Sequence, residues 1–543
     1  MTLSLIGFVV LLLLAFGGVP LGFSLILVGV AGFAIARADM VGQALIWWGD
    51  GGLEYNARAV NAAVSMAGQQ MFDVSTNYGM TVIPLFVLMG AFIHRSQLSQ
   101  DLYDAANAFL GHRRGGMAMG TVAACAGFAA VCGSSIATAA TISRVAMPSM
   151  RRFGYRDSLS TGSIAAGGTL GILIPPSVPM VLYGILAETD IADLFMAGIL
   201  PGLILTLMFF FAIGMTTMID PTAGPRAEPV PMRERMRLVI KVWGIVVIFV
   251  VIIGGIYLGI FTATEAAGVG VIFAALFALL RKRLTWRSLW ESLVETGITT
   301  GMIFIVAIGA LIFSNFVNLA GMTRTLTDVL AAHELSNIQV VLCIVAVYLA
   351  LGCVFDSIAM LTLTVPVVAA ILKPMGVDMV WFGIVAVIAI ELGLITPPVG
   401  INVFVVKAAT TGISVWTIFR GVTPFVVAML VLLGLVLAFP PIAMLVPTPF
   451  VLQRSQIRTV RNKTVAHLDG YTAPRLVEYF DDDPCGGLAE PVMEEPVMES
   501  RSAGKEAKAR RDGARALGVQ ILAEYAVGSY DIVMLSAKQS DGL

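Results

Sequence analysis

Gly133-Ser134-Ser135-Ile136-Ala137, then Gly154, then Gly171-Ile172-Leu173-Ile174-Pro175-Pro176: this series recurs once more in the chain. The second copy reads Phe355-Asp356-Ser357-Ile358-Ala359, then Gly376, then Gly393-Leu394-Ile395-Thr396-Pro397-Pro398. Ser357 follows Ser135 by 222 residues, and Gly376, Gly393 and Pro397 follow Gly154, Gly171 and Pro175 by the same 222. One gapless register over such a length marks an internal repeat.

The surroundings of the repeat are apolar. Of 543 residues, 58% are hydrophobic and 13% charged, about half the charge of an average soluble domain. Mean hydropathy is +0.89. Long uncharged runs recur from residue 3 to residue 446, as membrane helices require. The first runs, 3–17 and 19–36, lack a basic start and a small-residue cleavage site, so they read as membrane helices rather than a leader. A net charge of −1 argues against a nucleic-acid partner. Cys125, Cys132, Cys343, Cys353 and Cys485 have no metal or redox spacing.

A Pro-Pro pair inside such a run removes two backbone donors and breaks the helix. Pro175, Pro176, Pro397 and Pro398 therefore leave the carbonyls of residues 171–174 and 393–396 without helical partners. In a bilayer such carbonyls are tolerated where they are buried in protein or line a cavity, and they suit a hard cation. Gly133-Ser134-Ser135 and Asp356-Ser357 each fall at a turn between apolar pieces too short to span, and read as hairpin tips. The hydroxyls of Ser134, Ser135, Thr138 and Ser357 suit a sodium ion or a carboxylate, and helix N-termini at the tips favour an anion. The bland alternative is back-bonding of these hydroxyls to their own helices. Asp356 and Glu391 are acids inside the apolar region, which makes each a functional candidate; a carboxylate capping backbone N–H groups is the alternative. Thr262 and Glu265 have capping-box spacing, a structural role.

Four segments follow. Residues 1–219 hold a first membrane repeat, with a hairpin near 134–150 and a broken helix near 160–190. Residues 220–241 form a polar connector carrying Arg226, Arg233, Arg235, Arg237 and Lys241. Residues 242–446 hold the second repeat, with a hairpin near 354–373 and a broken helix near 379–413. Residues 447–543 are a polar extension for which disorder is the default expectation, with a helix at 505–525 and a strand at 527–536 as local options. The basic cluster at Arg281, Lys282, Arg283 and Arg287 is separated from the connector by two crossings, so both belong on the cytoplasmic face. Residues 98–112 and 322–334 read as amphipathic surface helices, connector helices or arms of a mobile domain.

Further residues resemble one family. Pro84-Leu85-Phe86-Val87-Leu88-Met89-Gly90, Gly133-Ser134-Ser135-Ile136-Ala137-Thr138 and Ile174-Pro175-Pro176-Ser177 resemble the large permease subunit of tripartite ATP-independent periplasmic (TRAP) transporters. So do Gly259-Ile260-Phe261-Thr262-Ala263-Thr264-Glu265-Ala266 and Thr396-Pro397-Pro398-Val399-Gly400. The resemblance covers about residues 1–446; the 48–80 stretch is longer and more polar than it leads one to expect, and 447–543 match none of its motifs.

The resemblance implies an all-α polytopic protein of the bacterial inner membrane. Its inverted repeats would carry two re-entrant hairpins and broken helices, in an elevator-type scaffold plus transport domain. It implies sodium symport of an organic acid such as a dicarboxylate, sialic acid or sugar acid. The partners would be a periplasmic substrate-binding protein and a separate small four-helix membrane subunit. It places sodium near Ser134, Ser135, Gly171, Ile174 and Pro176, and near Gly352, Asp356, Gly393, Thr396 and Val399. The substrate would sit between the tips, at Ser134, Ser135, Thr138, Asp356 and Ser357. No cofactor beyond the coupling sodium ions is expected. A sodium-coupled elevator for carboxylates from another family, working without a binding protein, is the alternative. A channel fits twin midplane hairpins less well than alternating access does. An enzyme is not expected: a serine hydrolase needs a base beside its nucleophile, and His94, His112, His333 and His467 lie at run ends or in the tail.

Overall fold

The computed structural model of the chain describes residues 2–40, 52–333, 336–444, 519–527 and 530–537. The chain divides into two units, Met1–Thr448 and Pro449–Leu543.

The first unit is helical throughout its described residues. It opens with α1 (Thr2–Phe16), α2 (Leu21–Met40), α3 (Gly52–Thr76) and α4 (Val82–Arg95). The first repeat continues with α5 (Leu98–Leu110), α6 (Gly116–Cys132), α7 (Ser135–Arg152), α8 (Asp157–Leu173), α9 (Val178–Leu186) and α10 (Ile191–Ile219). The connector contains α11 (Met232–Lys241), and α12 (Trp243–Tyr257) and α13 (Ala263–Leu280) follow. The second repeat comprises α14 (Trp286–Leu319), α15 (Met322–Ala332), α16 (Asn337–Gly352), α17 (Ser357–Leu372), α18 (Met379–Gly393), α19 (Ile401–Ala409) and α20 (Val415–Ala438). Among the described residues six helices are long and apolar enough to cross a bilayer, or eight if each bent pair counts as one span. With Leu203, Leu207, Phe211, Val427 and Val431 exposed on α10 and α20, the outer surface is that of a multi-pass membrane protein.

The repeat survives in the helices. The α7–α8 pair and the α17–α18 pair start 222 residues apart, at Ser135 and Ser357 and at Asp157 and Met379. Gly154 and Gly376 turn each pair with the same φ of +71°, a left-handed value that glycine adopts without strain. The amphipathic stretches are helices as expected: α5 buries Leu98, Tyr103, Ala105 and Ala108, and packs on α6 and α11. The expected capping box is present, with Glu265 N–H donating to Thr262 Oγ1 and Thr262 N–H donating to Glu265 Oε2 at 2.8 Å.

The two basic clusters meet at one end of the unit. Arg281 donates to the Lys241 carbonyl at 2.6 Å and pairs with Asp101 of α5. At the start of the connector, hydrogen bonds from Thr222, together with Arg156, hold the Asp220 carboxyl below the usual carboxylate range.

The polar stretch at 48–80 is mostly α3, which packs on α2 and α14. Its buried residues are Ala59, Ala63 and Ala67, at every fourth position, and Val74 two turns further on, a narrow stripe suited to close helix contact.

In the second unit the described residues form an antiparallel hairpin, β1 (Val519–Val527) and β2 (Tyr530–Ala537), with a register shift between Ile521 and Ala523. The strand option at 527–536 falls largely on β2. The helix option is overturned at residues 519–525, which are strand: cross-strand pairing outweighs local helix propensity there. The rest of that option, 505–518, lies outside the described residues.

Candidate functional site

The hairpin tips are built by capping. Gly133 ends α6 in a left-handed conformation, φ +62°. A Cβ there would fall 2.8 Å from the Pro176 carbonyl oxygen, so the tip seats directly on the first helix break. Ser134 is extended and caps α7, its hydroxyl accepting from Ala137 N–H at 3.4 Å. Asp356 plays the same part for α17, its carboxylate accepting from Ile358 N–H at 3.2 Å. Each tip thus presents a helix N-terminus.

The first break is buried. Helix α8 ends at the extended residue Ile174, both Pro175 and Pro176 are buried, and α9 departs at 43° with Ser177 capping it. No described donor reaches the carbonyls of Gly171, Ile172, Leu173 or Ile174. They are the orphans that the proline pair implies. A Cβ on Gly171 would lie 2.7 Å from the Ser134 carbonyl oxygen, so Ser134, Ser135, Gly171 and Pro176 come together.

The second break differs: the expected orphan carbonyls at 393–396 are refilled at Gly393 and Leu394, while no described donor reaches those of Ile395 and Thr396. Thr396 N–H donates to Gly393 O at 3.1 Å, its hydroxyl reaches Leu392 O at 3.0 Å, and Asn402 N–H donates to Leu394 O at 3.0 Å. The interval between α18 and α19 is long enough for the chain to fold back on itself, whereas α8 and α9 are too close in sequence. Pro397 and Pro398 are exposed. Gly352, Gly393 and Thr396 do cluster: a Cβ on Gly393 would sit 2.4 Å from the Gly352 carbonyl carbon, and Cys353 Sγ lies 3.2 Å from Thr396 Oγ1. Val399 lies in the short segment between the proline pair and α19.

A cavity of about 380 Å³ joins the two tips. Ser134, Ser135, Asp356 and Ser357 line it, with His94, Thr141, Arg144, Glu295 and Thr299 along its flank. Thr138 does not line it; that side chain is fully buried, and its hydroxyl donates to the Ser134 carbonyl at 2.7 Å, the back-bonding alternative. Asp356 both lines the cavity and caps its helix.

Sequence reasoning missed one partnership. Ser135 Oγ donates to Glu391 Oε2 at 2.6 Å, both side chains fully buried. The bond joins the first hairpin tip to α18, 256 residues away. Glu391 Oε1 and both side-chain polar atoms of Asn402 have no protein partner among the described residues. Arg144 was also overlooked; a lone charge in the otherwise uncharged stretch 135–150 was the available signal.

Residues 8–442 match the family model described as the DctM component of the tripartite ATP-independent periplasmic transporter. The chain belongs to this family. It is a large permease subunit of the TRAP type. It is 34% identical to the C4-dicarboxylate TRAP transporter large permease protein of Pseudomonas aeruginosa, over 70% of this chain and 88% of that one. It is 30% identical to the sialic acid TRAP transporter large permease protein of Vibrio cholerae, over 80% of this chain and 96% of that one. Among solved structures, the YdaH transporter of Alcanivorax borkumensis superposes with a TM-score of 0.54 at 13% identity, covering 77% of this chain and 99% of that one; the likeness is one of fold. Residues 437–543 match a second model, for an uncharacterised protein family conserved in bacteria, DUF2330. Membership of the TRAP family sets aside the alternative of a carboxylate carrier from another family.

Proposed function

We propose that this TRAP permease is the moving subunit of a sodium-coupled importer of an organic acid in the bacterial inner membrane. It would work with a periplasmic binding protein and a small four-helix membrane subunit. The observation that carries this is the cavity that joins two capped hairpin tips, each tip beside a broken helix. Each tip enters the membrane and returns, and the pair moves as one transport domain against a scaffold that includes α2 and α14. The helix N-termini at Ser134 and Asp356 attract the acid group of the cargo. The unbonded carbonyls of Gly171 to Ile174 support a first sodium position, and the cluster of Gly352, Asp356, Gly393, Thr396 and Val399 supports a second. Relatives are named for C4-dicarboxylate, sialic acid, ectoine and isethionate transport, three carboxylate cargoes and a sulfonate, which supports a small organic acid as the cargo here.

The test is uptake by proteoliposomes holding the chain and its membrane partner. Accumulation of an organic acid should need an inward sodium gradient and the binding protein together. Equal uptake without sodium, or without the binding protein, would overturn the coupling or the tripartite arrangement respectively.

A further inference from the structure

Arg144 stands apart from the other charges of the cavity. It lies on α7 nine residues beyond the tip residue Ser135, or about 14 Å along the helix axis. Thr141, one turn before it, faces the same cavity and sits 3.1 Å from His94 Nδ1. Among the described residues no carboxylate pairs with Arg144, although two carboxylates line the cavity with it. Both are engaged: Glu295 is held by Arg95 at 3.3 Å, and Asp356 caps α17. Arg144 is exposed to the cavity.

An arginine on a membrane hairpin is expensive unless it pairs or faces a water-filled path that uses its charge. Its planar fork matches a carboxylate in two-point contact. The position matters too. The flank that holds Arg144, His94 and Glu295 runs toward the end of the molecule where Arg95 meets Glu291 and where the basic clusters lie. Under the positive-inside rule that end is cytoplasmic.

We propose that Arg144 forms a second anion subsite in this cavity, on its cytoplasmic flank. The acid group of the cargo leaves the helix N-termini at the tips and is taken up by the guanidinium before release. This subsite rests on the organic-acid reading of the cavity. It gives the departing carboxylate a counter-charge on a flank whose acids are engaged and whose other polar side chains are His94, Thr141 and Thr299. It also makes affinity sided, because an acid entering from the cytoplasmic mouth meets the arginine first, whereas one from the binding-protein side meets the helix N-termini first.

The experiment uses the complete complex in proteoliposomes, with succinate and N-acetylneuraminate as probes, one dicarboxylate and one sugar acid. Counterflow is measured with acid presented from each side in turn. Arg144→Gln should raise the KM on the cytoplasmic side by about tenfold, the effect of losing one charge-assisted contact. The KM on the binding-protein side and the sodium dependence should stay unchanged. Arg144→Lys should recover part of the loss. A structural role would shift both sides and lower thermal stability together, so that pattern, like an unchanged cytoplasmic KM, would overturn the subsite. If the wild-type complex moves neither acid, the cargo reading fails and the subsite falls with it.

Discussion

At the scale of single residues, the Ser135–Glu391 bond is the main departure from expectation. Ser135 reads as a ligand in the sequence, yet its hydroxyl is committed to a buried carboxyl 2.6 Å away. Removing it leaves Glu391 with neither oxygen bonded to protein, since Oε1 already lacks a protein partner among the described residues. Ser135→Ala should therefore lower stability by about 1–3 kcal/mol, seen as an earlier thermal transition in detergent. Sodium-driven uptake should fall with it, because the tip is no longer fixed to α18. An unchanged transition would mean that the bond contributes nothing net. Asp356→Ala removes a cap as well as an acid. The cap alone is worth about 1 kcal/mol, so loss of all sodium dependence would exceed what a frayed α17 explains.

At the scale of elements, close backbone approach holds the two repeats together. Helices α8 and α20 cross at Gly162 and Gly421: a Cβ on Gly421 would fall 1.9 Å from the Ser158 carbonyl oxygen, and one on Gly162 would fall 2.3 Å from the Gly421 carbonyl oxygen. Small residues permit such packing in lipid, where no hydrophobic force drives helices together. Gly421→Ala must push backbone apart rather than displace a side chain. The expected cost is about 1–3 kcal/mol, and Gly434→Ala on the same helix, where nothing lies within 4 Å, is the control. Equal melting temperatures for the two variants would show that the α8–α20 crossing relaxes freely.

At the scale of the molecule, the transport parts fall within residues 8–442, while the tail belongs to a second family match that begins at residue 437. The hairpin of β1 and β2 lies in a unit of its own. A chain ending after residue 446 should therefore insert normally and keep full uptake in vesicles. Loss of uptake at normal membrane levels would assign the tail a part in transport.

Much of this was legible in the sequence for a local reason. Proline lacks an N–H wherever it stands, so Pro175-Pro176 and Pro397-Pro398 break their helices without help from distant residues. The 222-residue register, the apolar spans and the Thr262–Glu265 cap likewise depend on near neighbours. The alanine stripe of α3 was present in the sequence but polar neighbours such as Gln69 and Gln70 obscured it. What only the tertiary structure decided are pairings across the chain: Ser135 with Glu391, Gly162 with Gly421, and Arg144 on the wall of a cavity shared by both tips. Which carbonyls each break keeps open was decided there too, because refilling those at Gly393 and Leu394 required Thr396 and Asn402 to fold back onto them. Such contacts follow from how helices pack, and no residue's own chemistry specifies a partner hundreds of positions away.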